Sequence, residues 1–304
     1  MSWQAHLLNA WLRLTEKPFL SRATNPAVLR ASFEVKAALF FRAPWGTKCV
    51  RRDLAGLPAL WLSRSQTPGT PLLLYFHGGA HVFGSPRTMR ATVAALAKRV
   101  GIRAVLPRYP LAPEAPFPAA IDHCMASYRA LLDEGVDPAH IIVGGDSAGG
   151  NLALALLGQL CVEGAALPAG VFALSPLTDM TFSGASIQRN ATKDVVLPTA
   201  RLAETAQAYL GDHAPVDPLA SPLFADFPGA PPVWLCAGDT EILLDDTLRI
   251  ADHLKAQGVA VDLHVASDLP HVWPMFHNLL PEARATLDEL AAWFGARLSS
   301  DRSE

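Results

Sequence analysis

The chain has 304 residues, half of them hydrophobic and 17% charged, and its 25 Lys and Arg against 28 Asp and Glu leave a net charge of −3. This is a globular composition that excludes general disorder. Without a basic excess it also excludes duplex nucleic acid as a partner.

The length allows two domains of about 150 residues, or one α/β domain with an appended cap. No uninterrupted apolar run approaches about 18 residues, so no transmembrane insertion is expected. The opening MSWQAHLLNAWLRLTEKP lacks a basic n-region, a continuous apolar h-region and a small-residue cleavage site, so no signal peptide is expected. Cys49, Cys124, Cys161 and Cys236 are far apart and form no C-x-x-C. That fits reduced thiols in a cytoplasm and argues against structural zinc.

Residues 1–45 read as an N-terminal helical cap. Leu7, Leu8, Trp11, Leu12 and Leu14 recur at roughly helical spacing until Pro18 interrupts. A second helical stretch sets Phe33, Ala37, Phe40 and Phe41 on one side. The first helix lacks a basic face, so a cap over a pocket is expected in preference to a lipid-surface element.

Residues 46–304 read as one further domain, which the motifs below make the candidate catalytic domain. Candidate strands are Lys48–Leu54, Pro58–Arg64, Leu72–Phe76, Arg103–Leu106, Ile141–Gly145, Val171–Ser175, Val233–Ala237 and Val261–Val265. The first two read as a hairpin around Gly56. The rest alternate with helices at Arg87–Val100, Pro118–Asp133, Ala148–Cys161, Thr199–Leu210, Ile242–Gln257 and Glu282–Leu298. Such alternation implies an α/β fold, a mostly parallel eight-stranded sheet flanked by helices on both faces.

Gly145-Asp-Ser-Ala-Gly-Gly150 contains G-x-S-x-G between a strand-like run and a helix-like run, the context a nucleophilic serine elbow requires. Glycines relieve the clashes of a tight turn. A helix starting at Ala148 points its N–H groups toward Ser147, where negative charge would develop. Asp146 either supports this elbow or is solvated, and stays outside the catalytic set. Seventy residues upstream of the serine, His77-Gly-Gly-Ala80 follows a strand, where backbone N–H groups can meet a carbonyl oxygen. Such donors are worth roughly 3–4 kcal/mol of barrier each. His77 and His81 are four apart, but Gly78 and Gly79 disfavour a helix and H-E-x-x-H is missing, so no metal is expected. His77 is expected to hold its own loop.

The base should come last in chain order. Of His253, His264, His271 and His277, the first lies in a helical pattern and the second in a strand. His271 sits in a loop after the last strand, with His277 as the remaining candidate. For the acid, Asp239, Glu241, Asp245 and Asp246 compete. Asp239 also reads as a helix N-cap, and Asp245 and Asp246 as exposed helix positions.

The segments YFHGGA (75–80), RYPLAPEAPFPAA (108–120), GDSAGG (145–150) and LPHVW (269–273) resemble the hormone-sensitive-lipase-like family, the bacterial family IV carboxylesterases of the α/β-hydrolase superfamily. Two positions depart from the family pattern. Ala80 replaces the last glycine of H-G-G-G, and Pro110 replaces the arginine of Y-R-L-A-P-E. The resemblance implies Ser147 as nucleophile and His271 as base. It implies an oxyanion hole at Gly79, Ala80 and Ala148 with Gly78 as neighbour. Aligning the family's D-P-L-x-D on Leu243 and Asp245 puts Glu241 at the acid position. It further implies a serine esterase acting on short- to medium-chain acyl esters without a cofactor. A lactonase or amidase would share these residues, and a non-catalytic receptor would have lost them. The resemblance leaves a homodimer open.

Overall fold

The computed structural model describes residues 1–63 and 70–298. Arg64, the expected end of the second strand, and the last residues of the expected catalytic domain, 299–304, lie outside them. Two helices, α1 (Trp3–Arg22) and α2 (Pro26–Phe40), precede the hairpin β1 (Lys48–Leu54) and β2 (Leu57–Ser63). Then come β3 (Leu72–Phe76), α3 (Pro86–Val100), β4 (Arg103–Pro107), α4 (Ala119–Asp133), β5 (Ile141–Asp146), α5 (Ala148–Glu163) and β6 (Gly170–Leu174). The short α6 (Ser186–Arg189) and α7 (Leu202–Leu210) lead to β7 (Val233–Gly238), α8 (Leu244–Ala256), β8 (Val261–Ala266) and α9 (Pro281–Leu298).

Among the described residues the eight strands form one sheet in the order β1-β2-β4-β3-β5-β6-β7-β8. β2 runs antiparallel to both its neighbours, and β3 to β8 are parallel. Period-two alternation divides each inner strand between two cores. Leu72, Leu74, Ile141, Val143, Val171 and Ala173 face the core built with α4, α5 and α8. Leu73, Tyr75, Ile142, Phe172, Leu174 and Trp234 face the other, built with α3, α9 and α1. α5 is apolar nearly all round because it is covered nearly all round.

Beyond shifts of one or two residues at helix ends and the unexpected short α6, the helices depart from expectation at Pro18, at Thr199 and at the start of α8. Pro18 does not interrupt α1. The hydrogen bond it forfeits is to the carbonyl of Leu14, a strongly exposed residue whose oxygen water can reach. The stretch expected to be helical from Thr199 opens as a 3₁₀ turn, Thr199–Arg201, before α7. α8 begins at Leu244 with Leu243 as its N-cap, and just before it the Ile242 N–H is held by the Asp194 carboxylate, 2.9 Å away. Asp239 is therefore not its N-cap. Asp246 is not exposed. It is buried and accepts hydrogen bonds from the N–H groups of Thr178 and Asp179 (2.7 and 3.0 Å), tying α8 to the loop after β6.

Phe172 sits at the centre of the α9 side, against Tyr75 and Phe294 (ring centroids 6.0 and 5.3 Å). Phe172→Ala is expected to cost about 3–5 kcal/mol of unfolding free energy, read by urea denaturation.

Candidate active site

The parallel strands end on one edge of the sheet, and the loops leaving β3, β5, β6, β7 and β8 meet there. Between β5 and α5 the chain turns so sharply that Ser147 takes φ 52° and ψ −116°, a region L-residues rarely occupy. Its N–H is held by the carbonyl of Leu174 at 2.8 Å. The turn requires Gly149: a Cβ there would stand 2.0 Å from the carbonyl oxygen of Phe76. That contact packs α5 directly on the end of β3, so the 77–80 loop leaves β3 beside the serine.

Asp146 fixes that loop. Its buried carboxylate accepts from the Gly78 N–H (2.9 Å) and the Tyr75 hydroxyl (2.7 Å). Burial raises its pKa to about 6, against these two hydrogen bonds, which favour the charge. The choice between support and solvation thus falls on support. The Gly78 N–H is thereby consumed, so Gly78, grouped with the oxyanion hole as the neighbour of its donors, anchors the loop and offers no donor of its own. The N–H groups of Gly79, Ala80 and Ala148 have no protein acceptor among the described residues. Gly79, at φ 118°, has no room for a Cβ, which would meet the Phe83 carbonyl at 2.1 Å. Ala80 adopts φ 54° in spite of its side chain. The usual glycine is therefore replaced without abandoning the left-handed backbone, at a strain of about 1 kcal/mol.

His77 does hold its own loop. Its Nδ1 lies 2.8 Å from the Gly78 carbonyl and its ring stacks on Tyr109. His81 stacks on Tyr209 instead. Burial lowers both, to about 4 and about 3, so both rings are neutral. No group of three or more His, Cys, Asp or Glu that could hold a metal occurs among the described residues.

His271 arrives on the loop after β8, and its Nδ1 lies 2.5 Å from Oε2 of Glu241 on the loop after β7. The other Glu241 oxygen accepts from Ser175 Oγ (2.8 Å) and the Gly238 N–H (2.5 Å), so the buried carboxylate is fully partnered. Ser175 Oγ also accepts from the Val272 N–H at 3.1 Å, joining the acid to the histidine loop. Asp239 faces elsewhere, accepting from Ser267 Oγ and the Asp268 N–H. Asp245 pairs with Arg189. Burial by itself would lower the His271 pKa, but the carboxylates of Glu241, Asp194 and Asp146 outweigh it and raise it. His253, His264 and His277 are not with this group: His253 bonds the Ala225 carbonyl, His264 pairs with Glu289, and His277 borders a separate surface pocket.

Two contributors escaped the sequence reading. Ser175 ends a strand at the same sheet edge as Ser147, and that position was its signal. Asp194 lies in the loop between α6 and α7, and it accepts from the N–H groups of Val196, Leu197 and Ile242. No local pattern marks it. Ser147 and His271 both line an apolar cavity of about 630 Å³, whose far walls come from α1 and α2 (Leu8, Trp11, Phe33, Phe40).

The sheet order and the strained serine turn at the end of β5 define an α/β hydrolase. A family described as alpha/beta hydrolase fold matches residues 73–275. An esterase of Acinetobacter venetianus is 35% identical over 291 residues, 95% of each chain. An acetyl-hydrolase of Streptomyces hygroscopicus is 36% identical over 77% of this chain and 78% of its own. Among solved structures, EstE5 soaked with ethyl alcohol superposes with a TM-score of 0.92 at 33% identity, over 99% of this chain and 100% of its own. An esterase of the bacterial hormone-sensitive lipase family gives 0.91 at 36% over 98% and 99%. The chain belongs to the hormone-sensitive-lipase-like α/β hydrolases and is a carboxylic-ester hydrolase.

Asp146→Ala would leave the Gly78 N–H and the Tyr75 hydroxyl buried without a partner. A loss of about 2–4 kcal/mol of unfolding free energy is expected, largely restored in Asp146→Asn, whose amide oxygen still accepts; chemical denaturation of both variants checks this.

Proposed function

We propose that the chain hydrolyses short- to medium-chain acyl esters through an acyl-enzyme on Ser147, with His271 as base and Glu241 as the acid that orients it. One observation carries the reading. Ser147 and His271 share an apolar cavity, and behind His271 stands the Glu241 carboxylate at 2.5 Å. Serine is a poor nucleophile until a base takes its proton. Neutral His271 would do so through Nε2, since Nδ1 faces Glu241. Ser147 Oγ then bonds the acyl carbon, and the carbonyl π electrons move to oxygen. The resulting oxyanion is met by the N–H groups of Gly79, Ala80 and Ala148. The imidazolium returns its proton to the departing alkoxide. Water, deprotonated by the same ring, then releases the acid and restores the serine.

Residues 1–45 serve as a cap. Its helices supply the far walls of the cavity, so they would set which acyl chains fit. No metal or organic cofactor takes part in this scheme. The four free thiols fit a reducing, cytoplasmic setting.

Chromogenic esters from acetyl to dodecanoyl test the reading. Activity is expected to peak at short to medium chains and to fall by about 10⁴-fold or more in Ser147→Ala. Glu241→Ala should lose far more activity than Asp239→Ala. A fully active Ser147→Ala would overturn the assignment.

The raised His271 pKa has a definite sign. The base works when neutral, so kcat/KM should fall as the pH drops through a value above the ordinary imidazole range. Glu241→Gln removes the nearest carboxylate. Its residual activity should show this acid limb moved to lower pH, measured as a pH–rate profile against wild type.

A further inference from the structure

α1 has two apolar faces, and the fold uses one. Ala5, Leu8, Asn9 and Leu12 point inward. Trp3, Leu7, Trp11 and Leu14 recur every three to four residues on the far side. They are 68%, 61%, 40% and 77% exposed. α2 repeats the arrangement. Ala37 is buried, while Val28, Val35 and Leu39 recur on the outer side, Leu39 at 64% exposed. The two outer stripes meet where the rings of Trp11 and Phe40 pack edge to face, centroids 5.5 Å apart. Just beyond α2, Trp45 is almost wholly exposed. Apolar side chains gathered in this way mark an interaction surface.

Three features identify what covers it. The first is charge. Residues 1–45 hold six Lys and Arg against two Glu, a local +4 in a chain whose total is −3, which leaves −7 for the remainder. Arg13 and Lys17 run along the flank of the α1 stripe and donate to backbone carbonyls of residues 191–194, with the Asp194 carboxylate attracting Lys17 without an ion-pair contact. Arg13, Lys17, Arg22 and Arg42 make no ion pair among the described residues. Stripe against stripe, two copies would set +4 against +4. An anionic surface is attracted. The second is composition: three exposed indoles and several leucines, the side chains that settle at a lipid–water boundary. The third is continuity. Trp3, Leu7 and Trp11 belong both to the outer stripe and to the wall of the cavity that contains Ser147.

We propose that the outer faces of α1 and α2 seat the enzyme peripherally on an anionic lipid–water interface, with the mouth of the cavity against the lipid. No helix among the described residues is long and apolar enough to cross a membrane, so the contact stays on the surface. An ester dissolved in the lipid would pass to the cavity along apolar side chains. That last consequence rests on the proposed role of Ser147; the adsorption does not. The sequence shows no basic face on α1, but the cations flank its outward stripe, and only the structure shows which stripe faces out.

Co-sedimentation with large unilamellar vesicles tests the proposal, using Ser147→Ala protein so that binding is read apart from hydrolysis. Vesicles of phosphatidylcholine with phosphatidylglycerol should bind it, vesicles of phosphatidylcholine alone much less, and raised salt should weaken the binding. Leu14 and Leu39 lie outside the cavity lining. Placed in that background, Leu14→Glu with Leu39→Glu should cut vesicle partitioning about tenfold or more. The same pair in the wild-type enzyme should leave hydrolysis of a soluble acetyl ester within about twofold. Should the double variant lose its circular dichroism, Arg22→Glu with Arg42→Glu reads the charge component alone. The proposal is overturned if the phosphatidylglycerol vesicles do not bind the protein, or if the folded variants bind unchanged. It is equally overturned if the starting protein is a dimer that the leucine variants dissociate, since a second copy would then cover the stripe.

Discussion

Everything in the site depends on one backbone constraint, the turn at Ser147. At φ 52° and ψ −116° the residue stands in a region that costs of order 1–3 kcal/mol and persists only when its surroundings over-determine it. Here they do. β5 holds the turn from one side in the middle of the sheet, α5 from the other, and the Leu174 carbonyl holds the serine N–H. The close approach of Gly149 to Phe76 presses α5 onto the end of β3. Because β3 neighbours β5, the loop carrying Gly79 and Ala80 comes to the same place, and Asp146 pins it through Gly78. Serine and backbone donors are thus positioned by one packed joint.

The other half of the site is organised by charge. β6, β7 and β8 deliver Ser175, Glu241 and His271 in turn. Burying an imidazole disfavours its charged form, but three carboxylates surround this one, and their sum favours it. Each carboxylate is itself held. Glu241 is bonded by Ser175 and Gly238, Asp194 by three backbone N–H groups, and Asp146 by Gly78 and Tyr75. Buried charge of this kind is stabilised by such donors. The His271 ring therefore sits in an arrangement that stabilises its imidazolium form.

Much of this was legible in the sequence because local pattern and global fold agree. Strand positions followed from short apolar runs, and the elbow from glycines between a strand and a helix. The expectation for His271 rested on its loop after the last strand, a loop that the structure brings against Glu241. What escaped was set by partners distant in sequence. Asp246 looked like an exposed helix residue, yet the loop after β6 folds back to donate to it. Asp194 acquires its role only where α6 and α7 meet the turn before α8. Pro18 looked like a helix breaker, yet the carbonyl it orphans lies on the wet side of α1. The two apolar faces of α1 could be counted in the sequence, but which one the core would take depended on where the helix docked.

The most direct test of the account is to trap the covalent step. The protein would be treated with a fluorophosphonate ester, whose phosphonyl group is transferred to an activated serine oxygen as fluoride leaves and the base takes the serine proton, and the labelled peptide would be located by mass spectrometry. One adduct per chain is expected, on the peptide containing Ser147, and absent from Ser147→Ala. An adduct on another residue, or none at all on protein that actively hydrolyses esters, would contradict it.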